Sequence, residues 1–131
     1  MPNTNEQKKH IDQLHFEHKL WASAAKLCAD QLDIFQERLE EIAKKNTLPD
    51  IRQNIAHFQN QFIIQREQLD ILNHQINKHE QSLVNYAQMH PVAIDHVLFF
   101  DHTALYNQYE TFYKLFTQLK TEFTGFLEQR L

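Results

Sequence analysis

The chain has 131 residues, enough for one domain with a substantial core, and it is so poor in glycine and proline, with one and three residues, that a strand-rich fold is excluded. The net charge is −4 and the basic residues are scattered, which argues against a nucleic-acid partner. No apolar run approaches the ~20 residues of a membrane span, and a lone cysteine rules out an internal disulfide. The polar N-terminus and the lone cysteine together lead us to expect a cytoplasmic protein.

Three long helices are predicted in chain order, at about 4–46, 48–89 and 91–131. At the first break, Thr47 is expected to cap the second helix and Pro49 to occupy its first turn. At the second break, Pro91 disfavours helix at the residue before it and begins a new helix well. Connections this short place consecutive helices antiparallel. We therefore expect residues 1–131 to form a single all-α domain, an antiparallel three-helix bundle of helices about 40 residues long.

Each segment carries residues spaced alternately three and four apart, the pattern of coiled-coil-like heptad packing. The first series is Ile11, Leu14, His18, Trp21, Ala25, Cys28, Leu32, Phe35, Leu39 and Ile42. The second is Leu48, Ile51, Ile55, Phe58, Phe62, Gln65, Leu69, Leu72, Ile76, His79, Leu83 and Tyr86. The third is His102, Leu105, Tyr109, Phe112, Phe116, Leu119, Phe123 and Phe126. These series predict the core.

Folding the two hairpins brings three histidines of these series to one height. His18 reflected through the first turn falls near His79, and His79 reflected through the second falls on His102. Three imidazoles from three helices are the ligand set of a tetrahedral zinc with one open position, or part of a non-haem iron or copper site. Three acidic residues that could complete the shell or orient the rings, and a further imidazole, flank this layer: Glu17, Glu80, Asp101 and His15. The sequence thus offers a candidate site for a divalent transition metal.

Two other interpretations of the histidine layer need no metal. Buried polar groups in helical cores are best known for fixing the register of the helices, and neutral imidazoles can satisfy one another, a glutamate or a trapped water. Imidazoles with pKa values near ~6.5 could also act as a pH sensor. The Glu-x-x-His and His-Glu-x-x-His metal motifs are absent. The sequence leaves these alternatives open.

Apolar residues beyond the three core series form further columns, most clearly at seven-residue spacing on the first helix. They are Phe16, Leu20, Leu27, Ile34, Ile64, Ile71, Phe99, Tyr106 and Tyr113. They either widen the core or form an exposed patch, and a contiguous apolar patch usually marks an interface. A symmetric homodimer is the commonest way to bury such a patch.

No residue pattern indicates catalysis. Cys28 lies in a core series and is expected to be a buried hydrophobe rather than a nucleophile. The chain has no glycine-rich turn from which an oxyanion hole or a phosphate-binding loop could be made. We therefore expect a non-enzymatic helical scaffold that works through protein contacts, as a homodimer or with another protein. The alternative is a metal-binding bundle that uses zinc, iron or copper for redox, sensing or buffering.

Overall fold

A computed structural model of the chain describes residues 4–89 and 96–130, with side chains described over 11–89 and 100–130. This part of the chain consists of three α-helices: α1 (Thr4–Lys45), α2 (Pro49–Met89) and α3 (His96–Arg130). No strand occurs within it. The helices form an antiparallel three-helix bundle, as predicted. None of them is both long enough and apolar enough to cross a membrane.

The turn between α1 and α2 differs from the prediction by one residue. The Asn46 side-chain amide donates to the Ile42 carbonyl at 2.8 Å, which satisfies one of the last carbonyls of α1. The backbone N–H of Arg52 donates to the Leu48 carbonyl at 3.0 Å. Leu48, not Thr47, is therefore the N-cap of α2, and Pro49 occupies the first helical position, where its missing N–H costs nothing. The predicted start of the third helix at Pro91 lies outside the described residues.

The predicted core series account for the observed burial. Every described side chain that is buried belongs to one of the three series. Phe35, Tyr86 and Tyr109 are half-buried. Only Leu48 is placed wrongly: it is 63% exposed, because it precedes the first turn of α2 and the helical spacing no longer applies to it. The three predicted series therefore identify which face of each helix is buried.

The chain divides into two compact units, each containing a stretch of all three helices. The first comprises Met1–Ala25 with Ile71–Glu110, and the second comprises Lys26–Asp70 with Thr111–Leu131. The second unit has a phenylalanine core, in which the ring centroids of Phe62 and Phe123 lie 5.0 Å apart and those of Phe58 and Phe126 lie 5.1 Å apart.

In the first unit, a buried apolar cluster borders the histidines. Ile11, Leu14 and Leu83 form a buried cluster, with Tyr86 and Ala87 packed against it. One turn further along α1 from Leu14 the core changes from aliphatic side chains to imidazoles. The candidate site lies entirely within this first unit.

Candidate metal centre

The structure brings together His18 of α1, His79 of α2 and His102 of α3, all of them buried. Their ring centroids are 4.8 Å apart for His18 and His79, 5.0 Å for His18 and His102, and 5.5 Å for His79 and His102. One nitrogen from each ring lies within 4.8 Å of the other two. Across the described residues, no other group of three or more histidines, cysteines or carboxylates comes close enough to share an ion. Three rings from three helices therefore face one small volume.

A series of hydrogen bonds joins two of these rings to two carboxylates. Nδ1 of His18 is hydrogen-bonded to Oε2 of Glu80, and Oε1 of the same carboxylate is hydrogen-bonded to Nδ1 of His15. Nε2 of His18 lies 3.0 Å from Nδ1 of His102. Nε2 of His102 lies 2.5 Å from Oε2 of Glu17. The two buried rings thus stand in a line between two acidic side chains.

The three hydrogen bonds in this line need one more proton, or another positive charge in its place, than two neutral imidazoles carry. Glu80, His18, His102 and Glu17 are joined by three hydrogen bonds, and an ionised carboxylate can only accept. Each hydrogen bond needs one proton, whereas two neutral rings carry two. The third can be a proton shared between the rings, or its place can be taken by a metal ion between Nε2 of His18 and Nδ1 of His102.

His79 is the ring that the hydrogen bonds leave out. Its Nε2 is buried and has no hydrogen-bond partner among the described residues. Burial, together with the charges of His18 and His102, lowers the pKa of His79 to about 4. The ring is therefore neutral at pH 7, which is the form that binds metals. An unsatisfied buried polar atom costs about 1–3 kcal/mol, so the structure bears a cost that a ligand at this atom would remove.

Burial also lowers the pKa of His18, although the hydrogen bond and the charge of Glu80 oppose this effect. Loss of water around the rings is thus the largest cause of the lowered pKa of both His18 and His79. Trp21 contributes to this dry environment, because its indole stacks on His102 with a centroid distance of 4.7 Å and an interplanar angle of 27°. The same indole lies 5.6 Å from the ring of His18.

Of the flanking acidic residues that the sequence suggested, two contact the histidine rings and one lies at the surface. Glu17 and Glu80 contact the histidine rings directly. Asp101 is exposed and lines a cavity of about 300 Å³ together with His79 and Lys78. The negative charge of Asp101 raises the pKa of His79 and so opposes the effect of burial on it. His15, to which the sequence assigned no role, shares the carboxylate of Glu80. The sequence could have indicated this shared contact, because His15 lies three residues before His18 and therefore on the same face of the helix.

The residues of the predicted interface lie at the surface rather than in the core. On α1, Phe16, Leu20, Leu27 and Ile34 are each more than half exposed. The remaining members with described side chains are also exposed: Ile64, Ile71, Tyr106 and Tyr113. Phe99 falls outside the residues whose side chains the structure describes.

Cys28 is buried, in the second unit. Burial raises the pKa of its thiol to about 11, so the thiol is protonated at neutral pH. A protonated buried thiol is a poor nucleophile.

Comparisons of the chain with protein-family models, with curated proteins and with solved structures found no match.

Proposed function

We propose that this protein is a metal-binding three-helix bundle that holds one divalent transition-metal ion between His18, His79 and His102. One observation carries the proposal: three buried ring nitrogens lie within 4.8 Å of one another, and one of the rings, His79, has a buried nitrogen without a partner. Neutral imidazoles are the commonest metal ligands in proteins.

The ligand atoms follow from the hydrogen bonds. Nε2 of His18 and Nδ1 of His102 are 3.0 Å apart, close to the ~3.3 Å between two donors around a tetrahedral ion with bonds of ~2.0 Å. Their opposite ring nitrogens donate to Glu80 and Glu17, the arrangement in which carboxylates orient metal-bound histidines. Nε2 of His79 supplies the third ligand. A bound ion thus provides the missing positive charge and satisfies the unpartnered nitrogen at once.

The donor set also favours particular metals. Three imidazoles without a thiolate suit zinc, copper, iron and nickel, whereas magnesium and calcium prefer oxygen ligands. The charges of Glu17 and Glu80, each one hydrogen bond from a ligand ring, balance an ion of charge +2. We therefore expect copper or zinc to bind most tightly, because copper stands highest in the general affinity order of divalent metals and zinc favours a tetrahedral set of three imidazoles with one open position.

Elemental analysis of protein purified without an affinity tag tests the proposal directly. We expect about one zinc, copper or iron per chain, since the donors form a single ligand set. His79→Ala should lose the ion, because two ligands and water replace three ligands. His74→Ala is the matched control, since His74 is exposed on the same helix. Wild-type protein that contains none of these metals and binds no added zinc would contradict the proposal.

Trp21 provides an independent measurement of binding. It is the only tryptophan of the chain and stacks on the ligand ring of His102. Copper(II) and cobalt(II) quench nearby indole fluorescence, so titration of either ion should reduce the emission of the wild type and of His74→Ala. His79→Ala should require a much higher metal concentration for the same quenching.

The exposed apolar column of α1 favours a second function, that of a cytoplasmic scaffold which self-associates. Leu20, Leu27 and Ile34 recur every seven residues and are each more than half exposed. Exposed apolar residues in such a row typically mark a protein interface, and a symmetric homodimer would bury the same row on both chains.

Light scattering coupled to size-exclusion chromatography tests the second function. We expect a dimer at tens of micromolar that Leu27→Glu converts to a monomer, because the introduced charge would be buried without a partner. Leu115→Glu, at an exposed leucine of α3 outside this column, is the control. A wild type that remains monomeric at this concentration would count against self-association.

A further inference from the structure

We infer that His15 determines which metal the site selects, because it keeps the carboxylate of Glu80 from binding the ion. This inference rests on the proposed metal-binding function and extends it to the specificity of the same site. His15 itself touches no ligand atom of the ion, so it acts as a positioning residue through Glu80.

Both oxygens of Glu80 are engaged by histidines of α1. Oε1 accepts from Nδ1 of His15, and Oε2 accepts from Nδ1 of His18. The side chain of His15 is 44% exposed, that of Glu80 is 25% exposed and that of His18 is 2% exposed. The carboxylate therefore connects a surface imidazole to a buried ligand ring.

The second carboxylate of the site is held in the same way. Glu17 accepts from Nε2 of His102 through Oε2, and its Oε1 accepts from the side-chain amide of Gln13 at 3.2 Å. Each carboxylate thus has one oxygen on a ligand ring and the other on a side chain nearer the surface. A carboxylate whose two oxygens are both bound is not free to approach the ion.

Loss of His15 would release Oε1 of Glu80. Three histidines leave one coordination position open on a tetrahedral ion, and Glu80 is only one hydrogen bond from a ligand ring. A released carboxylate could turn and occupy that position. The donor set would then change from three nitrogens to three nitrogens and an oxygen. Because carboxylate ligands suit manganese and imidazole suits zinc and copper, the selectivity of the site would shift toward manganese.

The test is the ratio of the dissociation constants for Mn²⁺ and Zn²⁺, measured by competition with chelators. In His15→Ala we expect this ratio to fall about tenfold relative to the wild type, the low end of what partners outside the ligand shell contribute. His15→Gln should retain the wild-type ratio, because its amide N–H can donate to Glu80. His74→Ala controls for the removal of an exposed histidine.

A double variant, His15→Ala with Glu80→Gln, decides whether the effect passes through the carboxylate. It should restore the ratio toward the wild-type value, because a neutral amide is a much weaker ligand than a carboxylate. An unchanged ratio in His15→Ala, or equal weakening of both metals, would overturn the inference and leave the metal site intact. Absence of metal binding in the wild type would instead remove the proposed function itself.

Discussion

The side chain of His79 lowers the stability of the metal-free protein, whereas it is expected to serve as a ligand when a metal is bound. Its Nε2 is buried without a described partner, so the metal-free protein bears the cost of an unsatisfied polar atom. We expect His79→Leu to raise the free energy of unfolding by about 1–2 kcal/mol in the presence of a chelator, because leucine has no polar atom to satisfy. The same variant should gain no stability from added zinc. Chemical denaturation with and without zinc measures both effects, and a destabilised metal-free variant would show that this nitrogen is satisfied.

The lowered pKa of His79 predicts how the metal-free protein responds to acid. The pKa is about 4 in the folded chain and 6.5 for an unperturbed ring. Between these values the unfolded chain binds more protons than the folded chain, so stability falls as the pH falls from 6.5 to 4, by up to about 3 kcal/mol. Well above pH 6.5 the ring is neutral in both states and contributes no pH dependence.

Urea denaturation of the wild type and of His79→Leu across this pH range, both with chelator, measures the contribution of the ring. The variant should lose the part of the acid sensitivity that His79 causes. His18 contributes in the same direction, because burial lowers its pKa as well, and its share should remain in the variant. Identical pH profiles for the two proteins would contradict the assignment.

Among the helices, α3 contains the only glycine of the chain. Apart from its two chain neighbours and the adjacent backbone of its own helix, a Cβ built at Gly125 has no atom within 4 Å, so alanine fits without any change in packing. We expect Gly125→Ala to stabilise the protein by about 0.5–1 kcal/mol, because alanine loses less backbone entropy in a helix. Ala104→Gly, at an exposed position of the same helix, should destabilise by a similar amount. Thermal unfolding measures both, and a destabilising Gly125→Ala would indicate that the alanine clashes in the folded protein.

The spacing of apolar residues is sufficient to predict the helices but not their ends. It repeats through each helix, so one register assigns a face to every residue, and all the buried described side chains follow it. At Leu48 the spacing continues although the helix does not. The N-cap is decided instead by which carbonyl accepts the first helical hydrogen bond, here from Arg52.

In the candidate site, residue spacing determines which histidines lie at the same height, whereas side-chain conformation determines which hydrogen bonds they form. The common height of His18 and His79 follows from the short turn between α1 and α2, so it could be estimated from the sequence. The sharing of Glu80 by His15 and His18 depends on the rotamers of three side chains, which no residue spacing specifies. Asp101 directly precedes His102 but lies on the exposed side of α3, because adjacent residues of an α-helix are rotated by about 100° from one another.

At the scale of the whole molecule, the two units differ in what their cores contain. The second unit buries a cluster of phenylalanines: Phe58, Phe62, Phe112, Phe116, Phe123 and Phe126. Among its described residues, the first unit buries three histidines together with a set of mostly aliphatic side chains: Ile11, Leu14, Trp21, Ala25, Leu72, Ile76, Leu83 and Leu105. Since apolar burial is the main source of stability and buried polar groups cost free energy unless satisfied, we expect the first unit to open more readily when no metal is bound.

Hydrogen–deuterium exchange with and without zinc tests this difference within one protein. Zinc should slow amide exchange at 11–25, 71–89 and 100–110, because the ion joins three helices within the first unit and is released when that unit opens. Amides at 26–70 and 111–130 should change much less, so the second unit serves as an internal control. His79→Ala should abolish the zinc effect in both. Equal slowing of exchange in the two units would mean that they open together, and zinc binding without any slowing in the first unit would mean that the ion does not stabilise it.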